Sequence, residues 1–171
     1  MDTTTEAPAF VRSAAAVATS TGEDYRVEIR SGHHKLTADE PASVGGGDTA
    51  TTPVGLLLSA LGSCTAITLR MYAQRKDWPL QTVRVHLGYE KGPESSVRIT
   101  RRIELLGDLD EAQRARLLEI ADRTPVTRAV RGGTPIVEQH HNAAVHREGP
   151  VGTVGAGSAP LAGGQEAGRH E

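Results

Sequence analysis

The chain has little cysteine: Cys64 is the only one among 171 residues. A single thiol cannot form an intramolecular disulfide, so the fold gains no covalent cross-link. Chains without disulfides are typical of reducing compartments. The sequence therefore predicts a cytoplasmic protein.

The chain also lacks clustered charge and long apolar runs. Its formal net charge is −2, and no dense run of Lys and Arg occurs. Nucleic acids and anionic membranes are bound by clustered positive charge, so neither is expected as a partner. The acidic start, Met1–Glu6, is unlike a signal peptide. No segment is expected to reach the roughly 20 apolar residues that a membrane span needs.

One compact domain is expected from the length and from the 37% of hydrophobic residues, which suffice for a modest core. Residues 1–8 are predicted to be disordered, residues 9–147 to form the domain, and residues 148–171 to form a disordered Gly-rich tail. The tail has too few large apolar groups to offset the entropy of ordering. No internal repeat or linker divides the domain.

Alternating and turn patterns predict an α+β fold with antiparallel sheets. Three strands are predicted before one main helix, at Phe10–Thr19, Tyr25–Ile29 and Lys35–Ala38. Two more are predicted after it, at Thr82–Tyr89 and Val97–Leu106. Asp110 is expected to cap a second helix that runs to about Arg123. A further short helix is expected over Pro125–Val130, and a last strand over Pro135–Glu138.

The most apolar stretch of the chain surrounds Cys64. Thr52 is a good N-cap and Pro53 suits the first helical position, so the main helix is predicted to run from there to about Ala73. At about 100° per residue, one arc of this helix has Cys64 near its centre. The other members of the arc are Leu56, Leu57, Ala60, Leu61, Ile67, Thr68 and Met71. Two further leucines lie outside the arc, which indicates burial on more than one side, either in a dimer or inside one domain.

A lone thiol on such a helix is either inert filling or the centre of the chemistry. A free thiol is mostly protonated at neutral pH, so a nucleophilic cysteine needs a positive charge nearby. The helix dipole acts mainly in the first turn, about three turns before Cys64, so a cationic side chain would have to supply that charge. Arg30, Arg128 and His34 are the candidates. The alternative is a buried structural cysteine.

Other kinds of site find little support in the sequence. Gly62-Ser63-Cys64 matches only part of the papain-type signature, and too few residues follow it for the catalytic histidine. No G-x-S-x-G elbow occurs. The adjacent pairs His33-His34 and His140-His141 would point to opposite faces of a strand, so no metal site is expected. Asp39-Glu40 is interpreted as a solvated strand end.

Several short runs occur in a characteristic order along roughly residues 10 to 145. They are His34-Lys-Leu-Thr-Ala-Asp-Glu-Pro41, Gly46-Gly-Asp48, Thr52-Pro53, the helix from Leu56 to Ala73, Trp78-Pro-Leu80 and Ala121-Asp-Arg-Thr-Pro-Val-Thr-Arg128. In this combination the sequence resembles the OsmC/Ohr family, and within it the OsmC-like redox-protein branch.

The resemblance implies an intertwined α+β homodimer, with long central helices packed between antiparallel sheets. The family's best-known members are peroxidases that reduce organic hydroperoxides, and Cys64 matches their reactive cysteine. A second cysteine in those peroxidases resolves the sulfenic acid, and Thr124 stands in its place here. A glutamate that holds the activating arginine is replaced by Val54, and Arg30 is the match for that arginine.

Two classes of function follow from these observations. The first is a peroxidase in which Cys64 reduces an organic hydroperoxide and an external thiol regenerates it, because no second cysteine is present. The second is a non-catalytic protein that binds an apolar small molecule or serves in stress on the same scaffold. Other thiol chemistry on a specialised metabolite is a third alternative. His34, Val54, Thr124 and Arg128 are pocket candidates, and no cofactor is expected.

Overall fold

The computed structural model describes residues 10–22 and 24–138. The described residues up to Pro135 belong to one compact unit, and residues 136–138 belong to a second. The predicted disorder of residues 1–8 and 148–171 lies outside the described residues, as do the predicted domain limits at residues 9 and 147. These assignments stay predictions.

A three-stranded antiparallel sheet begins the chain. It consists of β1 (Ala16–Ser20), β2 (Val27–Ser31) and β3 (His34–Ala38), in that spatial order. The first strand is shorter than the predicted Phe10–Thr19, and residues 10–15 have no regular secondary structure. A short 3₁₀ turn, Ala42–Val44, follows in the loop that leads to the main helix.

The main helix, α1, spans Pro53–Arg75 and begins where the sequence predicts. The Thr52 hydroxyl accepts a hydrogen bond from the Gly55 N–H at 3.0 Å, and Pro53 occupies the first turn. This satisfies one of the amide groups that a helix N-terminus leaves without an internal partner. The start of α1 is therefore fixed by local chemistry.

A long antiparallel hairpin packs against α1. It is formed by β4 (Leu80–Lys91) and β5 (Val97–Gly107), which pair in register from Thr82↔Leu106 to Lys91↔Val97 and are joined through the 3₁₀ turn Pro93–Ser95. Gly107 ends β5 with φ +141°, where a side chain would collide with the Pro79 carbonyl. The hairpin predicted from alternation is confirmed and is longer than predicted at both ends.

Two shorter helices complete the described fold. They are α2 (Glu111–Ala121) and α3 (Pro125–Gly132). Asp110 caps α2 as predicted, since its carboxylate accepts from the Gln113 N–H at 2.7 Å while the Gln113 side chain accepts from the Asp110 N–H at 3.1 Å. The predicted strand at Pro135–Glu138 is wrong, because these residues pair with no strand and have no regular structure. Strand propensity alone does not form a strand without a partner.

The apolar core lies between α1, α2 and the end of the hairpin where β4 begins and β5 ends. Its buried members are Leu69, Ala73, Leu80, Leu109, Leu117 and Ala121. The Arg114 guanidinium fastens α2 to the end of β5 by donating to the carbonyls of Leu105 (2.7 Å), Gly107 (2.9 Å) and Leu109 (3.2 Å). Helix and hairpin are thereby held as one layer packed on another, in the α+β arrangement that the sequence predicts.

The expectation that no segment could span a membrane is wrong for α1 when length and composition alone are considered. The helix has 23 residues and is apolar enough to pass that test. The core helix of a water-soluble protein passes the same test, so this is weak evidence for a span. α1 packs against β4, α2 and α3 of its own chain.

Candidate functional site

The helix α1 presents two different faces. The covered face consists of its buried residues, Leu61, Thr65, Leu69 and Ala73. The open face consists of residues that remain exposed, chiefly Leu57, Ala60, Ile67 and Met71. Cys64 is half-buried and lies on the open face, between Leu57 and Met71 around the helix.

The predicted apolar arc around Cys64 is thus mostly uncovered. Of the arc's members only Leu61 is buried. The hairpin and the short helices instead cover a face turned by about 100° from Cys64. Within the described residues, α1 is not wedged inside one domain on all sides.

The three-stranded sheet holds two of the predicted activating side chains. Arg30 lies on β2 and His34 begins β3, and both are exposed. The main packing contacts of the described residues join α1 to β4, α2 and α3, and this sheet is not among them. Neither Arg30 nor His34 has a hydrogen bond or ion pair to Cys64 in the described chain. The structure does not bring these residues together within one chain.

Val54 and Arg128 also lie apart from Cys64. Val54 is exposed in the first turn of α1, and Arg128 is exposed on α3, where its N–H donates to the Thr124 carbonyl at 2.9 Å. No ion pair of Arg128 occurs among the described residues. Within the described chain, neither side chain therefore belongs to a site around Cys64.

Thr124 is fully buried as the N-cap of α3. Its hydroxyl lies 2.7 Å from that of Thr127, which donates to the Ala121 carbonyl at 3.3 Å. The Thr124 hydroxyl also accepts from the Thr127 N–H at 3.4 Å. The position that a second cysteine would occupy is thus taken by a threonine whose hydroxyl is hydrogen-bonded to Thr127.

Arg101, which the sequence analysis did not single out, connects this pair to α1. Its Nη1 donates to Thr127 Oγ1 (3.1 Å), to the Ala121 carbonyl (3.1 Å) and, more weakly, to Thr65 Oγ1 (3.4 Å). Its Nη2 donates to Asp122 Oδ1 at 2.8 Å. The Arg101 side chain is 14% exposed. One guanidinium therefore joins β5, the turn between α2 and α3, and the residue next to Cys64.

The sequence does contain a signal for Arg101. Along β5, every second residue from Ile99 to Leu105 is partly buried: Ile99, Arg101, Ile103 and Leu105. A charge in the middle of an apolar alternation must find partners when it is buried. An arginine on this stripe predicts an internal polar contact, although it does not identify the partner.

A cavity of about 470 Å³ opens beside the Arg101 network. It is lined by Leu57 and Leu61 of α1, by Tyr89, Val97, Arg98, Ile99 and Arg101 of the hairpin, and by Thr127, Val130 and Arg131 of α3. A second, shallow depression, of about 450 Å³, is formed by residues of α1 and β4. Cys64 lines neither of these two, but Leu61 precedes it by one helical turn on the same side of α1.

The loop before α1 is held by the buried carboxylate of Asp39. It accepts from the Thr49 hydroxyl (2.7 Å) and N–H (3.0 Å), from the Glu40 N–H (2.8 Å) and from the Gly47 N–H (3.4 Å). These hydrogen bonds, led by the Thr49 hydroxyl, lower the pKa of Asp39 to about 2. The interpretation of Asp39 as a solvated strand end is therefore wrong. Its buried carboxylate holds the loop together by hydrogen bonds.

Among the residues that the structure describes, no group of three His, Cys, Asp or Glu side chains forms a metal site. His33 and His34 lie with their ring centroids 3.9 Å apart at the turn between β2 and β3. His140 and His141 lie outside the described residues.

A family model described as OsmC-like protein matches residues 45–139 of this chain. This stretch includes α1, the hairpin, α2 and α3. No protein of curated function matches the chain.

The fold is similar to that of several solved structures. An OsmC-like protein from Mycoplasma pneumoniae has a TM-score of 0.56 at 17% identity, covering 70% of this chain and 86% of that one. An organic hydroperoxide resistance protein from Legionella pneumophila, also described as a predicted redox protein and regulator of sulfide bond formation, has a TM-score of 0.54 at 20% identity, covering 72% and 93%. The organic hydroperoxide resistance protein OhrB of Bacillus subtilis has a TM-score of 0.51 at 20% identity, covering 71% and 92%. At these identities, the likeness shows the fold alone.

Proposed function

Since the chain belongs to the OsmC-like family, we propose that it is a thiol-dependent peroxidase that reduces organic hydroperoxides through Cys64. The observation that supports this most is the position of Cys64, half-buried on an apolar face in the middle of α1. Such a thiol is accessible to a small apolar peroxide. The solved structures named as organic hydroperoxide resistance proteins add support at the level of the scaffold.

The proposed reaction begins with attack of the Cys64 thiolate on one oxygen of the peroxide bond. The O–O bond breaks, the organic group leaves as an alkoxide that takes up a proton to become an alcohol, and Cys64 becomes a sulfenic acid. An external thiol then attacks the sulfenic sulfur, forming a mixed disulfide and releasing water. A second external thiol releases Cys64 as a thiol and leaves with the first as a disulfide.

An external reductant is required by the single cysteine. Thr124 cannot form a disulfide, and its hydroxyl is already paired with Thr127 at 2.7 Å. The sulfenic acid of Cys64 would otherwise be oxidised further to an irreversible form. We place the reaction in the cytoplasm, where small thiols are reduced.

The proposed functional unit is a homodimer. The open face of α1 exposes Leu57, Ile67 and Met71, and a face of this kind on a long helix is normally covered. A second copy that covers it would enclose Cys64 in an apolar pocket. Arg30 and His34 stay candidates for activating the thiol only if the dimer brings their sheet to α1 of the other copy.

The first experiment is stopped-flow oxidation of the reduced protein by cumene hydroperoxide, with dimedone capture and mass spectrometry of Cys64. Rapid formation of one sulfenic acid per chain is expected. The Cys64→Ser variant should show neither the fast phase nor the dimedone adduct while it keeps its circular dichroism spectrum. A wild-type thiol that stays intact under excess peroxide would refute the peroxidase.

A second candidate function is that of a small-molecule-binding protein. The 470 Å³ cavity supports it, since its volume is typical of ligand pockets and Cys64 does not line it. Binding of an apolar ligand with equal affinity by the wild-type protein and the Cys64→Ala variant, without any thiol oxidation, would favour this function.

A further inference from the structure

The 470 Å³ cavity combines apolar walls with guanidinium groups. Its apolar lining comes from Leu57 and Leu61 on α1, from Ile99 on β5 and from Val130 on α3. Arg101 and Arg131 line the same cavity. An apolar ligand alone would not use these charges, so the lining indicates a ligand with two parts.

The two arginines share one carboxylate. Arg101 Nη2 donates to Asp122 Oδ1 at 2.8 Å, and Arg131 Nη2 donates to the same oxygen at 3.0 Å. Two positive charges therefore meet one negative charge, and the carboxylate is not part of the cavity lining. The third arginine of the lining, Arg98, is neutralised by Glu90 at 2.6 Å. The cavity wall thus carries one positive charge more than its partners balance.

The two guanidiniums differ in mobility. Arg101 is 14% exposed and is held by bonds to Thr127 and the Ala121 carbonyl, whereas Arg131 is 63% exposed and has Asp122 as its one ion-pair partner in the described chain. Arg131 can therefore turn toward a ligand while Arg101 keeps its place. Arginine is well suited to this, because its fork of donors matches a carboxylate.

We propose that this cavity binds an amphipathic organic anion, with a carboxylate at Arg131 and Arg101 and an aliphatic tail along Leu57, Leu61 and Ile99. The volume of about 470 Å³ lies in the range of pockets that hold small organic ligands. A medium-chain fatty acid has this size and this charge distribution. Leu61 is one helical turn from Cys64, so the tail of the ligand would end near the thiol. In this respect alone the inference rests on the proposed function.

The test compares octanoate with octan-1-ol by isothermal titration calorimetry of the full chain. The two probes have the same tail and differ in charge, so we expect octanoate to bind about tenfold more tightly. Arg131→Gln should remove most of that difference and leave octan-1-ol unchanged. Arg123→Gln, which removes an exposed arginine outside the cavity lining, should behave as the wild type.

Equal affinities for the two probes, no saturable binding of octanoate, or the same octanoate affinity in Arg131→Gln and Arg123→Gln would each overturn the inference. Since an altered fold could imitate a lost site, Asp122→Asn gives an independent test with the opposite sign. It removes the carboxylate that competes for both guanidiniums and should strengthen octanoate binding severalfold; weaker binding in a folded variant would count against the site. No turnover is measured, so octanoate binding with an unreactive thiol would refute the peroxidase alone, and thiol oxidation without octanoate binding would refute the cavity assignment alone.

Discussion

The two faces of α1 have the same apolar character and opposite surroundings. On the covered face Leu69 is completely buried, whereas Ile67, two residues earlier on the open face, is 58% exposed. Exposed apolar side chains are ordinary when scattered, but here they follow one side of a 23-residue helix. The contrast separates a face that builds the fold of one chain from a face that a second copy would cover in the proposed dimer.

The three-stranded sheet belongs with the open face in this comparison. Val17 and Leu36 are exposed on β1 and β3, whereas the hairpin is packed against α1. A sheet of three short strands gains little stability without packing on one side. A second copy that meets both this sheet and the open face of α1 would remove both exposures.

Among the substitutions that test the difference between the two faces, Ile67→Glu on the open face is expected to have the largest effect. A charge placed in an apolar interface cannot be solvated there, so we expect the dimer to dissociate to monomers at micromolar concentration. Sedimentation velocity measures this directly. Leu118→Glu, the same kind of change at an exposed leucine of α2, should leave the dimer intact. A wild-type protein that sediments as a monomer would contradict the role given to the open face.

The covered face is tested by Leu69→Ala. This change leaves a cavity in the core, and we expect the free energy of unfolding to fall by about 2–5 kcal/mol. Urea unfolding followed by circular dichroism gives the value. Leu118→Ala, on an exposed side chain, should lower the free energy of unfolding by less than about 1 kcal/mol. Similar losses in both variants would show that α1 is not packed as described.

The polar contact of the covered face is tested by Arg101→Met. It leaves acceptors at Thr65, Thr127 and the Ala121 carbonyl without the guanidinium, and we expect a loss of about 1–3 kcal/mol in unfolding free energy. The neighbouring Arg102 is a matched control, because its ion pair with Glu104 is exposed. Arg102→Met should change the free energy by less than about 1 kcal/mol. Equal effects of the two substitutions would remove the case for the internal role of Arg101.

The connection between the exposed sheet and α1 is tested through Asp39. Its folded pKa of about 2 lies below the ordinary value of 3.8, so the ionised carboxylate stabilises the fold above about pH 3.8, and this contribution is lost as the pH falls toward 2. Asp39→Asn should therefore lower the Tm by a few degrees at pH 7, and the difference from the wild type should shrink between pH 4 and 2. Scanning calorimetry across this range measures it, with Glu28→Gln on exposed β2 as the control. A difference that does not depend on pH would show that the loop is held in another way.

Local chemistry explains which parts of this fold could be predicted. The start of α1 at Thr52-Pro53 and the capping box of Asp110 depend on groups within three residues, and both are found where the sequence places them. The hairpin follows from alternation. Arg101 and Asp39 were missed or misread because their partners are distant: Arg101 bonds residues 20 to 36 positions away, and Asp39 bonds Thr49 ten positions away.

The candidate site shows the same limit. Thr124 was singled out from the resemblance and is buried as a satisfied cap, but nothing local revealed that Thr127 would be its partner. Arg30 and His34 were candidates because a nucleophilic thiol needs a cation nearby, but their sheet is not among the elements with main packing contacts to α1 in the described chain. Whether they reach a thiol depends on a second copy, which a single sequence does not describe.

The hydroxyl pair of Thr124 and Thr127 has an evolutionary consequence. A thiol is a weak hydrogen-bond donor and acceptor, and its sulfur is larger than the oxygen it would replace. A cysteine substituted at position 124 would thus weaken the 2.7 Å bond, and because it lacks the threonine methyl group it would also leave a fully buried site less well filled. Under the proposed function, a single Thr124→Cys change would therefore supply a second thiol only by weakening the buried cap of α3, so a return to a two-cysteine cycle would lower the stability of the fold.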